Sequence, residues 1–134
     1  AAARGADFPF TLTARAENFI RGNPDLDDTI RRLQAFEAAG ADVLYAPGLP
    51  NLDAIRTVFQ SVGKPVNVVM GLAGSDMTTQ QLSDAGVRRI SVGAALARTA
   101  LGAFMSAAKE MQSGSFTFID NAAAFPEIAQ YMRG

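Results

Sequence analysis

Glycines at 40, 63 and 86 fall at intervals of 23 residues, and this repeat constrains the fold more than any other feature of the chain. Each follows an amphipathic stretch and precedes a short apolar run. Each run is then closed by a further glycine: Gly48, Gly71 or Gly93. Glycine just past a helix supplies the left-handed residue that stops it. Glycine just past a strand permits a tight turn or the close approach of a ligand. The apolar runs read as buried parallel strands over residues 10–15, 42–46, 65–70 and 89–92.

Helices are predicted between them. The first spans 26–39, with Asp25 as N-cap, Asp27 and Asp28 in its first turn, and Leu26, Ile30, Leu33 and Phe36 as its inner stripe. The second spans 52–62, where Ile55, Val58, Phe59 and Val62 follow the helical spacing. The third opens at Thr78, with Gln81 three residues on as in a capping box. The fourth spans 94–112. A final helix over 122–132 would bury the apolar tail, either under the sheet or on a second subunit.

Alternating strands and helices with short connections mean a parallel sheet. A doubly wound sheet and a barrel both satisfy that pattern. The evenly repeated units favour an α/β fold of the (β/α)₈ TIM type. A complete barrel takes about 250 residues, so the 134 residues here are expected to form one domain, 1–134, amounting to four β/α units plus a C-terminal helix. An isolated half leaves sheet edges and one face uncovered. The other half is therefore expected in a missing N-terminal segment or a second chain. The lack of an initiator Met fits a fragment or a processed chain.

Composition removes several classes of function. With no His and no Cys, the chain itself can form neither a Cys/His zinc site nor a histidine-based triad. The net charge of −1 and two widely separated lysines, Lys64 and Lys109, give no nucleic-acid surface. No apolar run approaches the roughly 20 residues of a membrane span, and the start has no signal-peptide pattern. A cytoplasmic protein is expected.

In either architecture, function sits at the carboxyl ends of the strands. Lys64 and Arg88 lie at strand beginnings and read as structural. Side chains alternate between the faces of a strand. Phe10, Leu12, Ala14, Val66, Val68, Met70, Ile90 and Val92 would pack on helices. Thr11, Thr13, Arg15, Asn67, Val69, Arg89, Ser91 and Gly93 would face the lumen. Arg15 is the sharpest candidate, because its rigid fork suits a carboxylate or phosphate. A structural ion pair with Glu17 is its alternative role. Asn67 could donate to a substrate oxygen or satisfy a neighbouring loop. Glu17 and Asn18 could bind ligand or cap the loop after the first strand, and Asp76 fits the start of the third helix. Gly71-Leu72-Ala73-Gly74-Ser75 and Gly93-Ala94-Ala95 could together cradle an anion with backbone N–H groups. The candidate catalytic residues are Arg15 and Asn67. The substrate-binding set is Arg15, Glu17, Asn67, Gly71, Ser91 and Gly93, with no metal ligand.

Five segments together resemble the isocitrate lyase / phosphoenolpyruvate mutase family, in its phosphonomutase-like branch. They are Thr13-Ala14-Arg15-Ala16-Glu17-Asn18, Asp25-Leu26-Asp27-Asp28-Thr29-Ile30, Glu37-Ala38-Ala39-Gly40-Ala41-Asp42-Val43-Leu44-Tyr45, Lys64-Pro65-Val66-Asn67-Val68 and Gly86-Val87-Arg88-Arg89-Ile90-Ser91-Val92-Gly93. The likeness runs over about residues 8–112 and matches the second half of that family's barrel. It implies a Mg²⁺-dependent lyase or phosphonomutase acting on a small 2-oxo or 2-hydroxy acid through a pyruvate enolate. It also implies a homo-oligomer, usually a tetramer, with Mg²⁺ ligands in the missing N-terminal half. Arg15 corresponds to the family arginine after the fifth strand, and Asn67 to the asparagine on the seventh. After the sixth strand, where many members place Glu, this chain has Ala46-Pro47-Gly48. The competing expectations are a non-catalytic anion-binding or oligomerisation module and, on the glycine loops alone, a phosphate-binding biosynthetic barrel enzyme.

Overall fold

The computed structural model describes residues 8–72 and 76–133. The chain divides into two compact units, Ala1–Gly93 and Ala94–Gly134. The first contains β1 (Thr13–Arg15), α1 (Leu26–Ala38), β2 (Val43–Tyr45), α2 (Leu52–Ser61), β3 (Val66–Met70), α3 (Thr79–Asp84) and β4 (Arg89–Val92). The strands form one sheet in the order β1-β2-β3-β4, every pair parallel.

That order separates the two architectures. A doubly wound sheet reverses its direction of strand addition part-way through. Here each strand adds beside the last without reversal. Right-handed crossovers then deliver every helix to the same face. The core agrees: Ala14, Leu44 and Val66 pack with Leu33 of α1 and Val58 of α2, while Val68 and Met70 pack with Ile55 of α2 and Leu82 of α3. The fold is a run of β/α units of the (β/α)₈ barrel type, with one sheet face covered by helices.

Local chemistry fixes the helix starts. Asp25 caps α1 by accepting from the Asp28 backbone N–H at 2.8 Å. Asn51 caps α2 through the Ala54 N–H at 2.9 Å. Thr78 and Gln81 exchange both bonds of a capping box at α3. Gly40 and Gly86 adopt φ of 95° and 96° just past α1 and α3, a conformation that costs residues with a side chain. Gly63 departs from the expected pattern. Val62 leaves α2 in extended geometry, and the Gly63 N–H donates to the Glu37 carboxylate at 3.0 and 3.2 Å. A Cβ there would meet Glu37 Oε1 at 2.8 Å. Close approach, rather than a left-handed turn, accounts for the third glycine of the repeat.

Three strands, β1, β2 and β3, are shorter than expected, and β4 keeps its expected range. Residues 10–12 lie outside β1. Instead the Leu12 N–H donates to the Asp42 carboxylate, and its carbonyl accepts from the N–H groups of Asp42 and Val43. Ile90 and Val92 have the parity of the helix-covered face yet stay 38% and 49% exposed, because neither joins the helix-packed core clusters.

The second unit contains α4 (Ala95–Gln112), a 3₁₀ turn (Thr117–Asn121) and α5 (Phe125–Met132). Glu110 organises its turn, accepting from the Ser115 and Thr117 hydroxyls and from the backbone N–H groups of Thr117 and Phe118. Those bonds hold its carboxyl below the usual 4.5 against burial, the largest single influence, which acts to raise it. The final helix starts at Phe125 instead of 122, with Pro126 in its first turn. Phe116, Ile119, Phe125, Tyr131 and Met132 remain exposed. Among the described residues, no helix is long and apolar enough to cross a membrane.

Candidate functional site

The sheet register builds the candidate site. Arg15 pairs with Tyr45, Tyr45 with Asn67, and Asn67 with Arg89. Residues in register on parallel strands point to the same side. These four side chains therefore form one row on the face opposite the helices, running from the carboxyl end of β1 to the amino end of β4. Arg15 and Asn67, singled out from strand parity, share that face.

Each member has defined company. The Arg15 guanidinium carbon lies 5.1 Å from the centre of the Tyr45 ring, within cation–π range. Its Nε pairs with Glu17, whose other oxygen lies 3.3 Å from Arg21. The Arg15 side chain is still 45% exposed, and its two terminal nitrogens are the fork that matches a carboxylate or phosphonate. Glu17 meets Arg15 directly. A carboxylate in that position suits orienting the guanidinium and would repel an anion at close range.

Asn67 is only 2% exposed. Its Nδ2 donates to Ser91 Oγ at 2.9 Å, and its Oδ1 accepts from Arg89. Ser91 is half-buried. The loop after β1 is pinned separately. Asn18, buried, donates to Asp28 at 2.6 Å. The hydrogen bond from Arg32, followed by that from Asn18, holds the Asp28 carboxyl below its usual 3.8. Asn18 thus serves to cap the loop.

The two glycine loops differ. Gly71 is exposed, with φ of 82°. Gly93 is exposed outside the left-handed region, and a Cβ added there would meet no atom within 4 Å. Ala73, Gly74 and Ser75 lie outside the described residues, so the first of the two loops is described only at Gly71 and Leu72. At the same end of the sheet, the loops after β2 and β3 enclose a hollow of about 220 Å³ lined by Pro50, Asn51, Leu52, Asp76, Met77 and Gln81. Among the described residues, no group of three His, Cys, Asp or Glu side chains could hold a metal ion.

Tyr45 and Arg89 join the row without having been assigned a role from the sequence. Tyr45 had a legible signal: it flanks Leu44, which is fully buried on the helix side, so parity turns Tyr45 to the other face. Arg89 had the right parity, but its contact with Asn67 depends on strand register.

A one-directional parallel sheet with helices on one face and a polar row on the other defines a barrel-type α/β protein. The family model described as phosphoenolpyruvate phosphomutase matches residues 1–112, and the chain belongs to that family. A lyase/mutase-assigned protein from Burkholderia cenocepacia J2315 is similar to it at 54% identity and a TM-score of 0.92, over 99% of this chain and 48% of that one. A 2,3-dimethylmalate lyase, a member of the PEP mutase/isocitrate lyase superfamily, is 25% identical at a TM-score of 0.65, over 78% of this chain and 38% of that one. A phosphonopyruvate hydrolase in complex with oxalate and Mg²⁺ is 27% identical at a TM-score of 0.70, over 96% and 47%. The chain thus spans about half the length of these solved relatives or less. No curated protein matches it.

Proposed function

We propose that the chain supplies the Arg15–Asn67 side of an active site in a lyase or phosphonomutase that acts on a small 2-oxo or 2-hydroxy acid through a pyruvate enolate. The observation that carries this reading is the single row Arg15–Tyr45–Asn67–Arg89 on the sheet face away from the helices. Arg15 would hold the substrate carboxylate or phosphonate through its exposed fork, kept in plane by Tyr45 beneath it and Glu17 beside it. Asn67 and Ser91 would present hydrogen-bond donors to a neighbouring oxygen as negative charge develops on it.

The described residues do not fit a Mg²⁺ site. Mg²⁺ dependence is proposed on the strength of the phosphonopyruvate hydrolase relative, with ligands outside the described residues. Assembly into a homo-oligomer is proposed on the exposed Phe125, Tyr131 and Met132 of α5, a tetramer being what the family resemblance implies.

The test is pyruvate release from a panel of oxaloacetate-like and phosphonopyruvate-like acids, with and without Mg²⁺. Release from at least one acid, abolished by Arg15→Ala, is expected. Silence across the panel together with no oxalate binding would refute the reading. The second reading, a non-catalytic anion-binding or oligomerisation module, is favoured by the exposed apolar surface of α5. It is distinguished by phosphate binding that ignores Mg²⁺ and is accompanied by no turnover.

A further inference from the structure

The geometry points to Arg89 as a positioning residue that sets the polarity of the Asn67 amide and so makes Ser91 a hydrogen-bond donor toward the ligand. This rests on the site proposed above. A guanidinium only donates. The atom of Asn67 that faces Arg89 must therefore be Oδ1, as observed. Reversing the amide would set N–H groups against N–H groups in a site where Asn67 is almost fully buried. With Oδ1 committed to Arg89, Nδ2 turns to Ser91 and donates to its oxygen at 2.9 Å.

The consequence falls on the serine. A hydroxyl has one proton to give and lone pairs to receive. Because Ser91 Oγ accepts from Asn67, its own proton is left for another acceptor. Without Arg89, the amide could turn over. Ser91 would then spend its proton on Oδ1, and the face would lose one donor. Arg89 needs no contact with the ligand to exert this effect. Its position at the first residue of β4, in register with Asn67, is sufficient.

The experiment uses the full chain, oxalate with Mg²⁺ as the probe, and two readouts: the Asn67 side-chain amide resonances by NMR and the oxalate affinity by calorimetry. Arg89→Met is expected to shift the Asn67 amide resonances and weaken oxalate binding about tenfold, the scale of one donor lost. Arg89→Lys keeps a donor-only cation and should restore both. Ser91→Ala should weaken binding to a similar degree while leaving the Asn67 amide oriented. Adding Ser91→Ala to Arg89→Met should cost nothing further, because the two act through the same proton. If Arg89→Met does not fold, Arg89→Gln replaces it, since its amide presents either polarity and cannot dictate that of Asn67. Unchanged Asn67 resonances in Arg89→Met or its replacement Arg89→Gln, or losses that multiply in the double variant, would overturn the proposal. If the wild-type protein, together with the barrel half that supplies the Mg²⁺ ligands, binds no oxalate, the proposed function fails. The relay is then judged on the amide resonances alone: a shift in Arg89→Met that Arg89→Lys reverses upholds it, and no shift overturns it.

Discussion

Replacing Arg15 with Ala separates structural from substrate roles, because the structure sets the scale of both effects. On the stability side, the variant loses an ion pair with Glu17 whose partners are 45% and 37% exposed. Such a pair contributes about 0.2–1 kcal/mol. It also loses the contact over the Tyr45 ring, about 0.5–1 kcal/mol for a partly exposed cation–π pair. Glu17 keeps Arg21 as a partner, so no carboxylate is stranded. The expected loss is roughly 1 kcal/mol, or about 4 °C in Tm for a chain of this size. On the binding side, two charge-assisted bonds from one fork are worth about 3 kcal/mol together, which is about 100-fold in Kd. Lysine keeps the charge and loses the fork, so Arg15→Lys should fall between wild type and Arg15→Ala. Calorimetric titration with oxalate and a thermal melt of each variant supply the two numbers. A Tm drop beyond about 10 °C with unchanged oxalate affinity would assign Arg15 to the fold and refute its substrate role.

Other outcomes follow from the same geometry. Gly93→Ala should melt with wild-type protein, because its Cβ enters open space, and yet bind oxalate more weakly if the backbone there approaches the ligand. Gly71→Ala should itself destabilise by about 1 kcal/mol, because φ is 82°; paired melts and titrations compare the two. Leu33→Ala, at a fully buried position in the larger core cluster, should cost about 2–5 kcal/mol by denaturant unfolding. The Asp28 carboxyl is depressed in the folded chain by Arg32 first and Asn18 next. Its contribution is therefore complete above the usual 3.8 and is lost as pH falls through the lower folded value. Asp28→Asn should melt below wild type at pH 7 and begin to converge with it only as pH falls below 3.8, as read from melts across pH 2–8.

The helix-covered face was the more legible half of the sheet. The stripe Leu26, Ile30, Leu33 and Phe36, together with Ile55, Val58, Phe59 and Val62, reports its own burial through spacing, and all eight enter the core clusters. The caps at Asp25 and Thr78 are local events and lie within a few residues of sequence. The Gly63–Glu37 contact is different, since the partners lie 26 residues apart. The glycine signal was correct, but its reason is a crossing of segments that no local rule contains. The candidate site divides along the same line. Parity placed Arg15 and Asn67 on one face. Only register could add that Tyr45 lies between them and that Arg89 faces Asn67.

The division of labour between the two faces also explains why the row can carry chemistry. The core clusters join Leu44, Val66 and Val68 to α1, α2 and α3 and contain none of the four row residues. Helix-on-sheet packing therefore stabilises the unit without drawing on Arg15, Tyr45, Asn67 or Arg89. A face bearing two arginines would be a poor seat for a further apolar helix, since burying an unpaired charge costs several kcal/mol per ion. The same face turned toward a barrel axis keeps its cations near solvent and ligand, where an anion offsets them. The sequential strand order supports that orientation, since it sends the helices outward and leaves these side chains to the inside. Under the proposed function, substitution of the half-exposed Arg15 should therefore alter anion affinity before it alters the fold.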